Sequence, residues 1–207
     1  MKKLVIIGAG QYSKVVASSL PRKYKLIGFI DEGRTGTHIG LPIFGSSIEE
    51  VPKYEKCCYF VALGEVKPRK RWYYALIKKG LEVINVIDKT ANIAKGVVYG
   101  KGNYFGKNVI VNAGTVIGDN NMFNTASIVE HHCKIGSHIR IAPATTLCGV
   151  ITVEDSAFLG SNSTFIGVQK IGEHAIVGAG AVVLGNVAPY TTVVGVPAKV
   201  IKERNVE

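Results

Sequence analysis

Long apolar runs are missing from this 207-residue chain. The longest near the start, LVIIGAG, is preceded only by Lys2 and Lys3 and is too short to span a membrane. No apolar stretch with a cleavage site follows it. The expectation is a cytoplasmic protein without membrane insertion. Cysteine is scarce: Cys57, Cys58, Cys133 and Cys148, with no CxxC spacing. That argues against a disulfide framework and a zinc ribbon, and for reduced, structural thiols. Acidic residues are few, 15 against 25 Lys and Arg, so the net charge is +10 and anionic ligands are favoured. The one dense basic run, KPRKRWYYALIKK over 67–79, reads as a solvated helix face. Basic and aromatic residues are not interleaved elsewhere, so no nucleic-acid partner is expected. Hydrophobic residues make up 47% and mean hydropathy is +0.21, enough for a packed core.

What the chain does have is a repeat. Stepping by six from Ile93 gives Tyr99, Phe105, Val111, Ile117, Phe123, Val129, Ile135, Ile141, Leu147, Val153, Leu159, Phe165, Ile171, Val177 and Val183. Every one is aliphatic or aromatic, without an insertion. The fourth residue after each is usually small or aliphatic, with Asn103, Asn121 and Gln169 as exceptions. A helix needs a period near 3.6 and a lone strand a period of 2, so neither sustains six. Six residues make one short strand and one turn. Three such faces close a triangular coil of eighteen residues, stacked on the next at about 4.8 Å. The large residue fills the prism, and Gly and Asn serve the turns. This is the signature of a parallel β-helix.

The first half reads differently. KLVIIGAGQYSKVVASSL, residues 3–20, reads as a buried strand, a Gly-rich turn and a helix. LIGFI, CYFVALG and LEVINVI read as further strands, and a helix with Pro68 in its first turn runs to about Lys79. Alternating strands and helices imply a parallel sheet. Gly8 and Gly10 give G-x-G, with Ser13 at the third glycine position. The N–H groups at Gly10–Ser13 can cradle a pyrophosphate at a helix N-terminus. Asp31, ending the second strand, is placed to accept hydrogen bonds from a ribose or base. Some 88 residues suit a half-unit that binds one nucleotide. The expected domains are residues 1–88, nucleotide-binding, and 89–207, the β-helix and tail.

The stretch VEHHCK places Glu130, His131 and His132 together on a turn of the β-helix. Val129 and Cys133 point inward, so these three face out. Adding eighteen to His131 reaches Gly149, on the same corner one coil on. An atom between them could meet an imidazole and a backbone N–H together. That suits acyl transfer: histidine accepts a proton near neutral pH, and a fixed N–H meets the developing oxyanion.

The hexads, with the closing GAGAVVLGNVAPYTTVVGVPAKVIK of 178–202, resemble the hexapeptide-repeat acyltransferases. That resemblance implies a left-handed parallel β-helix over roughly 90–202. With the half-Rossmann α/β unit in front, the whole chain is similar to the nucleotide-sugar acetyltransferase and sialic acid O-acetyltransferase family, the bacterial 4-amino-sugar N-acetyltransferases. The resemblance implies an acetyl-CoA-dependent N-acetyltransferase acting on a nucleotide-linked 4-amino-4,6-dideoxy sugar. O-acetylation of sialic acid or a related sugar is the alternative. In the family the first Gly-rich turn, the acid after the second strand and the glycine after the third bind the nucleotide-sugar. These match Gly10, Gln11 and Tyr12, then Asp31 and Gly64, and Arg69 matches a basic residue opening the next helix. The usual turn reads G-G-H or S-G-H; here it is Gly10-Gln11-Tyr12. The family's catalytic histidine matches His131, and its acetyl-carbonyl contact matches the Gly149 backbone. The residue after that histidine is usually Asp or Glu; here it is His132, and Glu130 is the candidate to orient His131 instead. Coenzyme A contacts match Arg140, Ser161 and Ala179, with Lys199 placed to meet a phosphate. A groove between neighbouring prisms would hold the pantetheine arm, which implies a homotrimer with shared sites.

Two other function classes compete. A zinc enzyme of the γ-carbonic-anhydrase type would use His131, His132 and His138, but no metal is expected, since adjacent histidines on a turn diverge. A non-catalytic nucleotide-sugar binder would lack coenzyme A affinity. His138 and His174 are expected at surface turns, and His38 in a Gly-rich loop.

Overall fold

The computed structural model describes residues 1–204 and divides into two compact units, Met1–Lys89 and a second from Thr90 onward. Residues 205–207, the end of the expected second domain, lie outside the described residues.

The first unit runs β1 (Lys2–Ile7), α1 (Gln11–Ser18), β2 (Tyr24–Ile30), β3 (Thr37–His38), β4 (Leu41–Pro42), β5 (Cys58–Val61), α2 (Val66–Lys78) and β6 (Glu82–Val83). Its sheet has the order β2-β1-β5-β6, with every pairing parallel. The end of β1 and all of β5 are buried continuously, as a sheet covered on both faces requires. Val5, Ile7, Tyr59 and Val61 pack there against Trp72, Tyr73 and Leu76 of α2. Those three share one helical stripe with Arg69, at spacings of three and four. The basic run is therefore only partly a solvated face, because Arg69 is 1% exposed. The expected fourth strand over 81–87 is interrupted: its pairing residues are Glu82–Val83 and Val86–Ile87, with a break at Ile84–Asn85.

The second unit is a coil of two-residue strands, from Asn92–Ile93 to Val182–Val183. They stack as three parallel sheets, and partners are eighteen residues apart, as in Ile110↔Ile128, Val116↔Lys134 and Met122↔Arg140. The three faces are called here the first (containing Ile128–Val129), the second (Lys134–Ile135) and the third (Arg140–Ile141). The second residue of each strand points inward, and most of these side chains are fully buried. Each such burial contributes about 1.5–3 kcal/mol. Phe105 and Phe123 stack one coil apart, with ring centroids at 4.8 Å and planes 9° from parallel.

From Gly96 to Asn162 every sixth residue turns a corner with φ positive. Gly96, Gly102, Asn108, Gly114, Asn120, Ala126, His132, His138, Ala144, Val150, Ser156 and Asn162 all do so. The left-handed region favours Gly, Asn and His. The polar exceptions in the interior hydrogen-bond to the coil, though Gln169 Oε1 is buried without a partner among the described residues. Asn103 Oδ1 accepts the Asn121 N–H, Asn121 Oδ1 accepts the Ile139 N–H, and both amides donate to corner carbonyls. Gln169 donates to the Val183 and Ile166 carbonyls. The coil closes on the antiparallel pair Thr191–Val194 and Lys199–Glu203 on the third face.

Candidate active site

His131 stands on the corner between the first and second faces, and Gly149 follows on the same corner one coil later. A β-carbon on Gly149 would lie 2.5 Å from His131 Cε1 and 2.7 Å from Nε2. The imidazole thus lies flat against a residue that has no side chain to displace it. Among the described residues no acceptor takes the Gly149 N–H. His131 is exposed and Gly149 half-buried, so solvent reaches both. A groove of about 560 Å³ lies on the adjoining second face, lined by Val116, Lys134, Thr152 and Glu154 among others.

The neighbours of His131 differ from the expectation. Glu130 does not orient it: the carboxylate accepts from Asn112 Nδ2 at 2.8 Å, one coil earlier. The ring of His132 takes that place, with Nδ1 3.1 Å from His131 Nδ1. His138 is not a surface residue. It is 1% exposed on the next corner, with Nδ1 2.9 Å from Asn120 Nδ2. His131, His132 and His138 therefore do not converge, and among the described residues no three His, Cys, Asp or Glu side chains gather as metal ligands would. His174 is half-buried, its ring stacked on Tyr190.

The residues matched to coenzyme A contacts lie elsewhere on the prism. Ser161 and Ala179 share the corner between the third and first faces. Arg140 is on the third face, its guanidinium 4.4 Å above the Phe158 ring, and Lys199 is in the closing strand of that face. Within one chain the first face separates the Ser161 corner from the His131 corner.

In the first unit the candidate nucleotide residues gather at the carboxyl ends of the parallel strands, where open α/β sheets bind ligands. Gly10 caps α1 without a side-chain hydrogen bond, and the first turn carries no acid. The first-turn N–H groups of a helix point towards an approaching anion. Gln11 and Tyr12 open the helix. A side chain at Gly8, with φ +100°, would meet Leu63 and the Ala62 carbonyl. Asp31 closes the turn from behind: Oδ2 accepts the Ala9 N–H at 2.7 Å and Oδ1 the Gly33 N–H at 2.9 Å. It therefore shapes the turn, where the sequence suggested a contact to ribose or base. Arg69 donates to the Gly64 and Leu63 carbonyls, holding the loop after β5. Around Gly64 the space is open. Two residues join this site unforeseen. Arg34 donates to the Ala9 carbonyl at 2.8 Å, and His38 Nε2 lies 2.9 Å from Ser13 Oγ. His38 is buried edge-on against Phe29, not in an open loop.

Residues 3–76 match the family model described as the PglD N-terminal domain. A curated GDP-perosamine N-acetyltransferase of Escherichia coli O157:H7 is 29% identical over 166 residues, 76% of this chain and 75% of the relative. The solved structure of PerB from Caulobacter crescentus, in complex with CoA and GDP-perosamine, is 30% identical and superposes with a TM-score of 0.92 over 97% of each chain. The chain belongs to the nucleotide-sugar acetyltransferase family. The acetyltransferase domain of PglB from Neisseria gonorrhoeae, in complex with acetyl coenzyme A, agrees: 27% identity, a TM-score of 0.91, and coverage of 97% of this chain and 99% of that one. As a member of the family this chain is an enzyme, an acyltransferase whose acyl donor is acetyl-CoA. No described helix is long and apolar enough to cross a membrane.

Proposed function

We propose that the enzyme transfers the acetyl group of acetyl-CoA to the amino group of a nucleotide-linked 4-amino-4,6-dideoxy sugar, with His131 as general base. The observation that carries this reading is the contact of His131 with Gly149. It sets an imidazole beside a backbone N–H at one solvent-accessible corner. The amine lone pair attacks the thioester carbonyl carbon and the C–S bond breaks. His131 takes the amine proton and returns it to the leaving thiolate. The Gly149 N–H faces the carbonyl oxygen as it gains charge.

The nucleotide sits at the uncapped start of α1, with its phosphates on the N–H groups of Gln11, Tyr12 and Ser13. The GDP-perosamine of the E. coli and C. crescentus relatives supports a nucleotide-linked amino sugar as acceptor. The separation of His131 and Gly149 from Arg140, Ser161, Ala179 and Lys199 supports a homotrimer. Neighbouring prisms would then bring the two sets to one groove.

The test is thiol release from acetyl-CoA with a panel of nucleotide-linked 4-amino sugars, GDP-perosamine among them, beside His131→Ala. Loss of turnover by more than about a hundredfold supports base catalysis. Turnover that survives removes His131 from that role. Coenzyme A binding without turnover on any amino sugar moves the acceptor to a hydroxyl.

A further inference from the structure

The two adjacent rings at the site have an unusual relation. Nδ1 of His131 and Nδ1 of His132 are 3.1 Å apart, with the rings 78° from coplanar. Adjacent histidines on a turn ordinarily diverge. Here they meet because His132 occupies the left-handed corner position, with φ 58°. Its ring folds back over Gly114 of the preceding coil, where a β-carbon would lie 2.7 Å from Cδ2 and 2.9 Å from Nε2. His131 instead packs on Gly149 of the following coil. The rings lean on opposite neighbours along the axis and meet at Nδ1.

Two imidazole nitrogens at that separation share one proton. Two bare lone pairs would repel, and two N–H groups would clash. With both rings neutral, one Nδ1 donates and the other accepts. A base facing Gly149 needs its lone pair on Nε2, so His131 must carry its proton on Nδ1. We propose that His132 is a positioning residue: its Nδ1 accepts the His131 Nδ1–H, holds that tautomer, and keeps its own proton on Nε2 over Gly114. This rests on the reading of His131 as base.

The arrangement differs chemically from a carboxylate partner. A carboxylate stays an acceptor well below neutral pH. His132 becomes a donor when protonated, and His131 must then accept at Nδ1 and carry its proton on Nε2. The other titratable groups near the pair do not interrupt it. Glu130 is engaged by Asn112, and Cys133 is buried beneath the corner with its Sγ donating to the Cys148 and His131 carbonyls. Cys148 precedes Gly149, Lys134 opens the second face, and Lys95 is two coils earlier on the same corner.

Nitrogen-15 NMR of the histidine rings in the whole wild-type protein at pH 8 tests the tautomers without any substrate. The expected pattern is Nδ1–H on His131 and Nε2–H on His132. The reverse pattern overturns the proposal. Kinetics gives a second readout. His132→Ala should lower kcat about tenfold or more, with the KM for acetyl-CoA within about twofold. His132→Asn, which keeps an acceptor for the His131 Nδ1–H, should restore most of kcat. His132→Asp, another acceptor at the same place, should restore it as well. An unchanged kcat in His132→Ala sinks the proposal and leaves His131 as base. Full turnover in His131→Ala sinks the base reading itself, whatever the tautomers.

Discussion

Gly149 lies one coil after His131, packed so closely that a β-carbon on it would stand 2.5 Å from Cε1 of the ring. The three atoms nearest that position all belong to the imidazole, and Gly149 is not among the positive-φ glycines. A side chain there meets the imidazole first, so it moves the imidazole rather than the backbone. Gly149→Ala should therefore leave melting temperature and circular dichroism close to wild type while lowering kcat by about tenfold to a hundredfold, the scale of a displaced general base. A variant with wild-type kcat would show that the ring's seat on Gly149 is unimportant to the chemistry.

Glu130 offers the opposite case. It is next to His131 in sequence, but its carboxylate serves Asn112 on the preceding coil. Glu130→Gln keeps an acceptor for that amide and should hold kcat within about threefold, with an unchanged pH profile. Glu130→Ala loses the hydrogen bond and should cost about 0.5–1.5 kcal/mol of stability, read by denaturant unfolding. A hundredfold loss of kcat in Glu130→Gln would return Glu130 to the catalytic machinery.

These two residues mark how far the sequence could be read. The inward positions were legible because a strict period of six admits one arrangement, and the coil length of eighteen then puts His131 over Gly149. The same arithmetic separates Ser161 from Gly149 by twelve residues, two-thirds of a coil, so their different corners are also written in the spacing. The direction of Glu130 is not, because it depends on an asparagine eighteen residues earlier. Nor is the meeting of His131 with His132, which requires a left-handed backbone at a non-glycine residue and glycines on both neighbouring coils. His38 reaches Ser13 across 25 residues through the β3–β4 hairpin, and no local pattern announces that. His138 was misplaced for a related reason. A corner histidine reads as exposed unless its partner Asn120 is known.

Asn121 tests why polar residues interrupt the inner hexad positions. It is fully buried, its carbonyl accepts the Ile139 N–H at 2.7 Å, and its amide donates to the Gly136 carbonyl at 2.9 Å. Asn121→Ala would strand a buried donor and a half-buried acceptor and open a small cavity. Each unsatisfied group costs about 1–3 kcal/mol, so a loss of about 2–5 kcal/mol is expected, measured as a shift in the urea midpoint. Asn121→Val fills the space but leaves the same two groups bare, and should recover little. Full recovery in the valine variant would mean that volume, not hydrogen bonding, holds that position.

His38 links the stability of the first unit to pH. Burial holds its imidazole below the ordinary histidine range, and the charges of Lys14 and Arg34 push the same way, opposed by Asp31. Its Nε2 lies 2.9 Å from Ser13 Oγ, which itself donates to the Gly10 carbonyl. With the hydroxyl proton used on Gly10, neutral His38 is the donor through Nε2–H. The folded state therefore resists a proton that the unfolded chain accepts at an ordinary pKa of about 6.5. Unfolding takes up that proton, so stability rises with pH between the folded and unfolded values. The contribution is complete above the unfolded value and is lost as pH falls below it, until the folded value is passed. His38→Gln keeps a side-chain donor without titrating. It should flatten the fall in thermal midpoint from pH 7 to pH 5, measured on the full chain, while the midpoint at pH 8 stays within a few degrees. A wild-type midpoint that stays level or rises over that interval would contradict a neutral His38 at the Gly-rich turn.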